Sequence, residues 1–333
     1  MMTGTPSAWA HALRVVRPAL LLMPTDWLDE VASRLRAAGI QAAVARHDSG
    51  PVIDLVVAMA ARAGVSNAAA DSYAATHGAL TWAAVSAALA TGPSCPRLRS
   101  YWHYAGCRYT KISGTCGSPR HLPACPVPAH DLRKGLLNEG GFGLALFVRD
   151  VCGGDLVSWL DARLATADPG LGVPGRGVAL RDAVLLPLTN VHGLGPKVLS
   201  MTLAELLLVG DPERERWRAA GAAMVAVDSL VHAHLQRAGI LRRLVAEHPY
   251  GPACVGPRGC VAVVQGLAER IDARAFGAGH PAVFPRFLQS ALWRFAATGL
   301  HNVCNGRRID DRGRCGQVLR CPSYLICDRV ALG

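Results

Sequence analysis

Lys197 and Asp228 are the residues whose types and settings best suit nucleophilic chemistry. Lys197 follows a tight turn in LTNVHGLGPKVLSMTLAELLL, which begins at Leu188. A lysine just inside a helix N-terminus sits against the positive end of the helix dipole. That position disfavours its proton and can leave a free amine able to attack carbon and form an imine. The same position also suits a protonated lysine resting on a phosphate. Asp228 lies in MVAVDSLVHAHLQRAGI, where apolar residues precede it and a helical pattern follows. Asp is a good helix N-cap. A capping carboxylate facing a cleft can also stabilise a cationic transition state or activate a nucleophile.

Between two apolar-periodic segments, His192, Gly193, Leu194 and Gly195 form the turn that leads into Pro196 and Lys197. Successive backbone N–H groups at the start of the second helix would grip a phosphate without side chains. Glycine permits a left-handed turn and close approach, and Pro196 fits the first helical turn, where its missing N–H costs nothing. An ordinary helix–helix turn has the same ingredients.

Cysteines supply a third kind of chemistry. The chain has 11, an odd number that fits a fully paired disulfide framework poorly. Cys304, Cys315, Cys321 and Cys327 follow a C-x10-C-x5-C-x5-C spacing in the tail. Four thiolates in a short segment suit an iron–sulfur cluster or zinc. Arg307, Arg308, Arg312 and Arg314 in that loop could reach phosphates. A more open set comprises Cys95, Cys107, Cys116 and Cys125, with His103, His121 and His130 nearby. It could hold a second metal or pack as small apolar side chains. Tyr101, Trp102, Tyr104 and Tyr109 in the same region suit either base stacking or a core. Cys152, Cys254 and Cys260 fall in neither set.

Helices must position these groups. The chain has 333 residues, 51% hydrophobic and 18% charged, a globular rather than a disordered composition. Ala-, Leu- and Val-rich stretches carry helical periodicity at 26–40, 52–62, 66–76, 81–90 and 284–299, and Gly39 stands where the first should stop. No segment alternates with the two-residue period of a strand, so the expected class is all-α. Pro, Gly, Cys and His punctuate 91–128, a loop-rich excursion. No uncharged apolar run approaches the roughly 18 residues of a membrane span. The apolar run from Ala19 to Met23 lacks the length and cleavage site of a signal peptide, so a soluble cytoplasmic protein is expected. The formal net charge of +11 favours polyanionic partners.

The elements VHGLGPK and VAVDSLVH together resemble the helix-hairpin-helix DNA glycosylase superfamily, which includes endonuclease III and 8-oxoguanine glycosylase. Members carry L-P-G-V-G-x-K and V-D-T-H-V at these places. Residues 55–89 are similar to the family's early barrel helices, and Gly106 to Lys111 to its G-x-x-x-x-K segment. The resemblance implies Lys197 as the nucleophile of bifunctional members and Asp228 as the essential aspartate. It implies Gly193 and Gly195 as the hairpin glycines, with His192 and Leu194 alongside them on DNA. It also implies a [4Fe–4S] cluster on Cys304, Cys315, Cys321 and Cys327, with zinc as the alternative.

The expectation is therefore a two-domain, all-helical fold with a Cys-rich metal loop, a barrel at 51–222, and a second domain of 1–50 plus 223–333. It would act as a monomer on double-stranded DNA, near the nucleoid and away from membranes. It would flip a base from the duplex and excise it, and a bifunctional member would also cut the strand as an AP lyase. The alternative is a non-catalytic DNA-binding protein with a structural metal cluster. Three features depart from the family pattern. Val209 to Ala222 is an insert whose folding decides whether Lys197 and Asp228 can pair. Ser229 and Leu230 replace the family's Thr and His. The wedging Gln has no counterpart near Ala60 to Gly64.

Overall fold

The computed structural model describes residues 4–62, 67–104, 116, 118–127, 136–306, 309–316 and 319–332. Gly106, Cys107, Tyr109, Lys111, His130, Arg307 and Arg308, singled out above, lie outside the described residues.

The regular structure among the described residues is helical, without strands. In chain order the α-helices begin with α1 (Pro6–Leu21), α2 (Trp27–Ala37), α3 (Ile40–Ala45), α4 (Ser49–Ala61) and α5 (Asn67–His77). Next come α6 (Trp82–Ala90), α7 (Tyr101–Tyr104), α8 (Leu136–Asp150), α9 (Leu156–Ala167) and α10 (Arg176–Thr189). The last six are α11 (Pro196–Val209), α12 (Glu215–Ala222), α13 (Ser229–Arg237), α14 (Ile240–Arg243), α15 (Cys260–Ala268) and α16 (Pro285–Ala296). Side-chain caps start several of them. Thr5, Asp48, Thr81, Asp155 and Asp228 each accept a hydrogen bond from a backbone N–H of the first turn. Gly39 takes φ +72 after α2, where an L-residue would be strained.

The chain divides into two compact units, one of residues 1–31 with 222–333 and one of residues 32–221. The first division falls within α2. Residues 32–50 group with the unit that composition begins at Pro51, because α3 packs against α4.

In the 32–221 unit, α4 is central and packs on α3, α6, α8 and α11. Its Val52, Ile53, Val56 and Val57 are buried, as are Phe142, Leu146 and Phe147 of α8. Around Tyr104 a satellite core gathers Val85, Leu98, Val127 and Phe142. Cys95 lies inside that core and Cys125 packs against it. There these thiols serve as small apolar side chains. Tyr101 stands edge-on to Phe147 at 5.2 Å, while Trp102 is 66% exposed.

The segment Val209–Ala222 lengthens neither neighbouring helix. Its last part forms α12, pinned by Trp217, whose Nε1–H donates to Asp161 of α9 at 2.6 Å, and by the Arg176–Glu215 ion pair at 2.6 Å. The chain then runs without regular secondary structure to Asp228.

In the other unit α16 is the core helix, packed against α1, α13 and α15. Trp27, Phe284 and Phe287 pack together with centroids 5.7–5.9 Å apart. Truncating Phe287 to alanine would cost about 3–5 kcal/mol. No helix of the described residues is long and apolar enough to cross a membrane.

Candidate functional site

The turn between α10 and α11 rests on the first part of α8. Gly140 and Gly143 make this possible. A Cβ on Gly140 would meet the Leu194 side chain at 2.9 Å, and one on Gly143 would meet the His192 carbonyl oxygen at 3.2 Å. Leu194 is thereby buried, and its N–H closes the turn by donating to the Val191 carbonyl at 3.1 Å. His192 bonds through Nε2 to Glu139 Oε2 at 2.8 Å. Glu139 is buried on α8, and its carbonyl accepts the Tyr104 hydroxyl at 3.0 Å. The hydrogen bond to Glu139 raises the His192 pKa above its ordinary value, against the opposing effect of burial.

The two hairpin glycines differ in kind. Gly193 takes φ +85, a left-handed conformation that favours glycine. Gly195 has an ordinary φ of −86, and a Cβ there would meet nothing within 4 Å. Neither backbone conformation nor packing requires glycine at 195. As N-cap of α11, Gly195 offers no side chain, and the amides of Lys197 and Val198 have no acceptor among the described residues. Lys197 is half-buried in the first turn of α11 and Pro196 is exposed.

Asp228 caps α13. Its Oδ1 accepts the Val231 N–H at 2.9 Å, and it is half-buried after the buried stretch Met224 to Val227. Lys197 belongs to the 32–221 unit and Asp228 to the other.

The four tail cysteines gather around one small cavity, lined also by Val303, Ile309, Tyr324, Arg237 and Arg329. The surroundings supply donors to sulfur. Arg237 Nη1 donates to Cys304 Sγ at 3.2 Å, and the Arg329 N–H donates to Cys327 Sγ at 3.4 Å. Burial pushes the Cys304 thiol up to about 12, partly offset by the Arg237 charge. Arg237 also holds the tail through its carbonyl, which accepts the Val330 N–H at 2.8 Å, and through an ion pair with Asp311. Arg312, Arg314 and Arg320 around the loop are exposed. No sequence signal marked Arg237, because its partners lie 67 and 74 residues away.

A second cluster brings together cysteines that the spacing left aside. His232 of α13, His248, Cys254 and Cys260 at the start of α15 place their ligating atoms within 4.8 Å of one another. Such a set could bind a metal. No other group of three or more His, Cys, Asp or Glu side chains among the described residues is gathered so tightly.

No known protein family, curated protein or solved structure matches the chain.

Proposed function

We propose that the protein is a DNA base-excision glycosylase of the helix-hairpin-helix kind, with Lys197 as nucleophile and Asp228 as essential carboxylate. The observation that carries this reading is the identity of residue 197. Of the chain's 35 Lys and Arg residues, three are lysine: Lys111, Lys134 and Lys197. Arginine is the better fork for phosphate and stays protonated at any working pH. A chain that uses arginine nearly everywhere, yet keeps lysine two residues past an open glycine turn, points to a need for an amine rather than a guanidinium. Gly195 and the unpaired amides of α11 support the same reading, since they leave room and donors for a phosphate. The net charge of +11 suits a DNA duplex as partner.

In this mechanism the target base is flipped from the stack. Lys197 would attack as the free amine and release its proton to solvent as the bond forms, and Asp228 would supply the carboxylate that stabilises the cationic sugar. The Lys197 nitrogen bonds to C1′ as the glycosidic bond breaks, and the base leaves with the bonding electron pair. Opening of the sugar ring gives an imine, from which β-elimination can cut the strand.

Cys304, Cys315, Cys321 and Cys327 would hold a [4Fe–4S] cluster. The fit rests on four sulfurs around one cavity, with N–H donors to Cys304 and Cys327. Such a cluster supplies no redox step here; it fixes the arginine-bearing loop.

Borohydride trapping on abasic duplex DNA tests the assignment. Wild type is expected to give a covalent adduct. Lys197→Arg is expected to bind the same duplex within about tenfold and to give none, because a guanidinium forms no imine. An undiminished adduct with Lys197→Arg would remove Lys197 from the chemistry. DNA binding without base release or adduct from any duplex would leave a non-catalytic binding protein.

A further inference from the structure

We infer that His232, His248, Cys254 and Cys260 form a second, structural metal site for a tetrahedral Zn²⁺ ion, separate from the tail cysteines. The geometry carries this. Zinc holds thiolate at about 2.3 Å and imidazole at about 2.0–2.1 Å, so the edges of its ligand tetrahedron run about 3.3–3.8 Å. His232 Nδ1 lies 3.3 Å from Cys260 Sγ and 3.6 Å from Cys254 Sγ. Cys260 Sγ lies 3.4 Å from His248 Nε2. Three edges of the required tetrahedron are thus already in place around a common centre.

The surroundings fit the donors. His248 Nδ1 lies 2.6 Å from the Ala246 carbonyl oxygen, which only an N–H can satisfy. That bond fixes the tautomer and leaves the Nε2 lone pair facing Cys260, the usual outer-shell arrangement of a zinc-bound histidine. Two thiolates and Zn²⁺ sum to zero charge, so the site can be buried without an unpaired ion. Binding would release the two thiol protons to solvent. His232, Cys254 and Cys260 are buried and His248 is half-buried, and four protein ligands leave no open position for substrate. The ion is therefore structural.

Glycine builds the loop that brings the ligands together. A Cβ on Gly259 would meet the backbone of Cys254 at 2.5 Å, and Gly251 takes φ +145. These positions allow 248–260 to fold tightly enough for Cys254 and Cys260 to share a centre. The metal would tie this loop and the start of α15 to the first turn of α13, four residues after Asp228. The Tyr250 ring lies 5.7 Å from that of His232. The site would thus fix the backbone that presents Asp228, though its existence does not depend on the glycosylase reading.

Zinc and iron content of the purified full-length protein, with zinc K-edge absorption, tests the site. One zinc per chain is expected, with two sulfur ligands near about 2.3 Å and two nitrogen ligands near about 2.0–2.1 Å. Zinc should fall at least tenfold in Cys254→Ser/Cys260→Ser and persist in Cys321→Ser/Cys327→Ser, which should instead lose any iron. Should the first variant fail to fold, the wild-type absorption spectrum still decides. Zinc bound by four sulfurs, less than a tenth of a zinc per chain, or a Cys254–Cys260 disulfide by thiol alkylation and mass spectrometry would each overturn the site. Base release, measured separately, reports on the glycosylase reading alone.

Discussion

The Arg237 guanidinium donates to Cys304 Sγ at 3.2 Å and pairs with Asp311, so one buried side chain of α13 grips the cysteine-rich tail at two points. Its side chain is 3% exposed. Removing it would take away the Asp311 ion pair and leave a cavity beside Cys304. Arg237→Ala should lower unfolding stability by about 1–3 kcal/mol, mostly from lost packing and the lost donor to Cys304, because solvent meets the charge of the 44%-exposed Asp311. Iron content should fall with it. Chemical denaturation and iron analysis check this, and a variant with wild-type stability and full iron would show that the arginine does not hold the tail.

Asp228 carries two separable roles. Asn caps a helix about as well as Asp, whereas Ala costs about 1 kcal/mol. Asp228→Asn should therefore unfold within about 0.5 kcal/mol of wild type while losing base release, and Asp228→Ala should lose both stability and activity. Thermal unfolding beside a glycosylase assay separates the two. Full activity in Asp228→Asn would leave the residue as a cap and nothing more.

The two hairpin glycines should respond differently to alanine. Gly193→Ala forces a Cβ into the left-handed region and should cost about 1–2 kcal/mol of stability. Gly195→Ala meets no neighbour and should stay within about 1 kcal/mol of wild type. Its DNA affinity should nonetheless drop by about tenfold or more, the loss of one charge-assisted hydrogen bond to phosphate. Unchanged affinity in Gly195→Ala would remove the phosphate from that turn.

The His192–Glu139 pair gives the hairpin a pH dependence. Its bonded partner raises the folded pKa of His192, so the pair's contribution is complete below the unfolded value of about 6.5. That contribution declines as pH rises through the raised value, where the imidazole loses its charge. With His192 about one-third exposed, the effect should be near 1 kcal/mol. Wild type should exceed Glu139→Gln in Tm by more at pH 6 than at pH 9. A difference that is flat, or that grows with pH, would contradict the pairing.

Much of the helical architecture could be read in advance because it rests on local rules. The stop at Gly39 is observed at φ +72, and the late apolar pattern at 284–299 is observed as α16. The cap at Asp228 was equally legible, since capping needs only a carboxylate three residues before a backbone N–H. The helix at 215–222 was not legible as one held to α9 by Trp217 and Asp161, because that contact spans 56 residues.

What the sequence alone determined is the helical class, the glycine turn before Lys197 and the presence of four tail cysteines, all set by near-neighbour chemistry. Tertiary structure decided which distant groups meet. Cys254 and Cys260 carry no C-x2-C spacing, and only the folding of a loop onto α13 brings them to His232 and His248. Arg237 looks like any helical arginine until the chain returns 67 residues later to bury it beside Cys304. Spacing along a chain fixes what a turn or a helix can do; burial and convergence depend on how the helices pack, which no local pattern encodes.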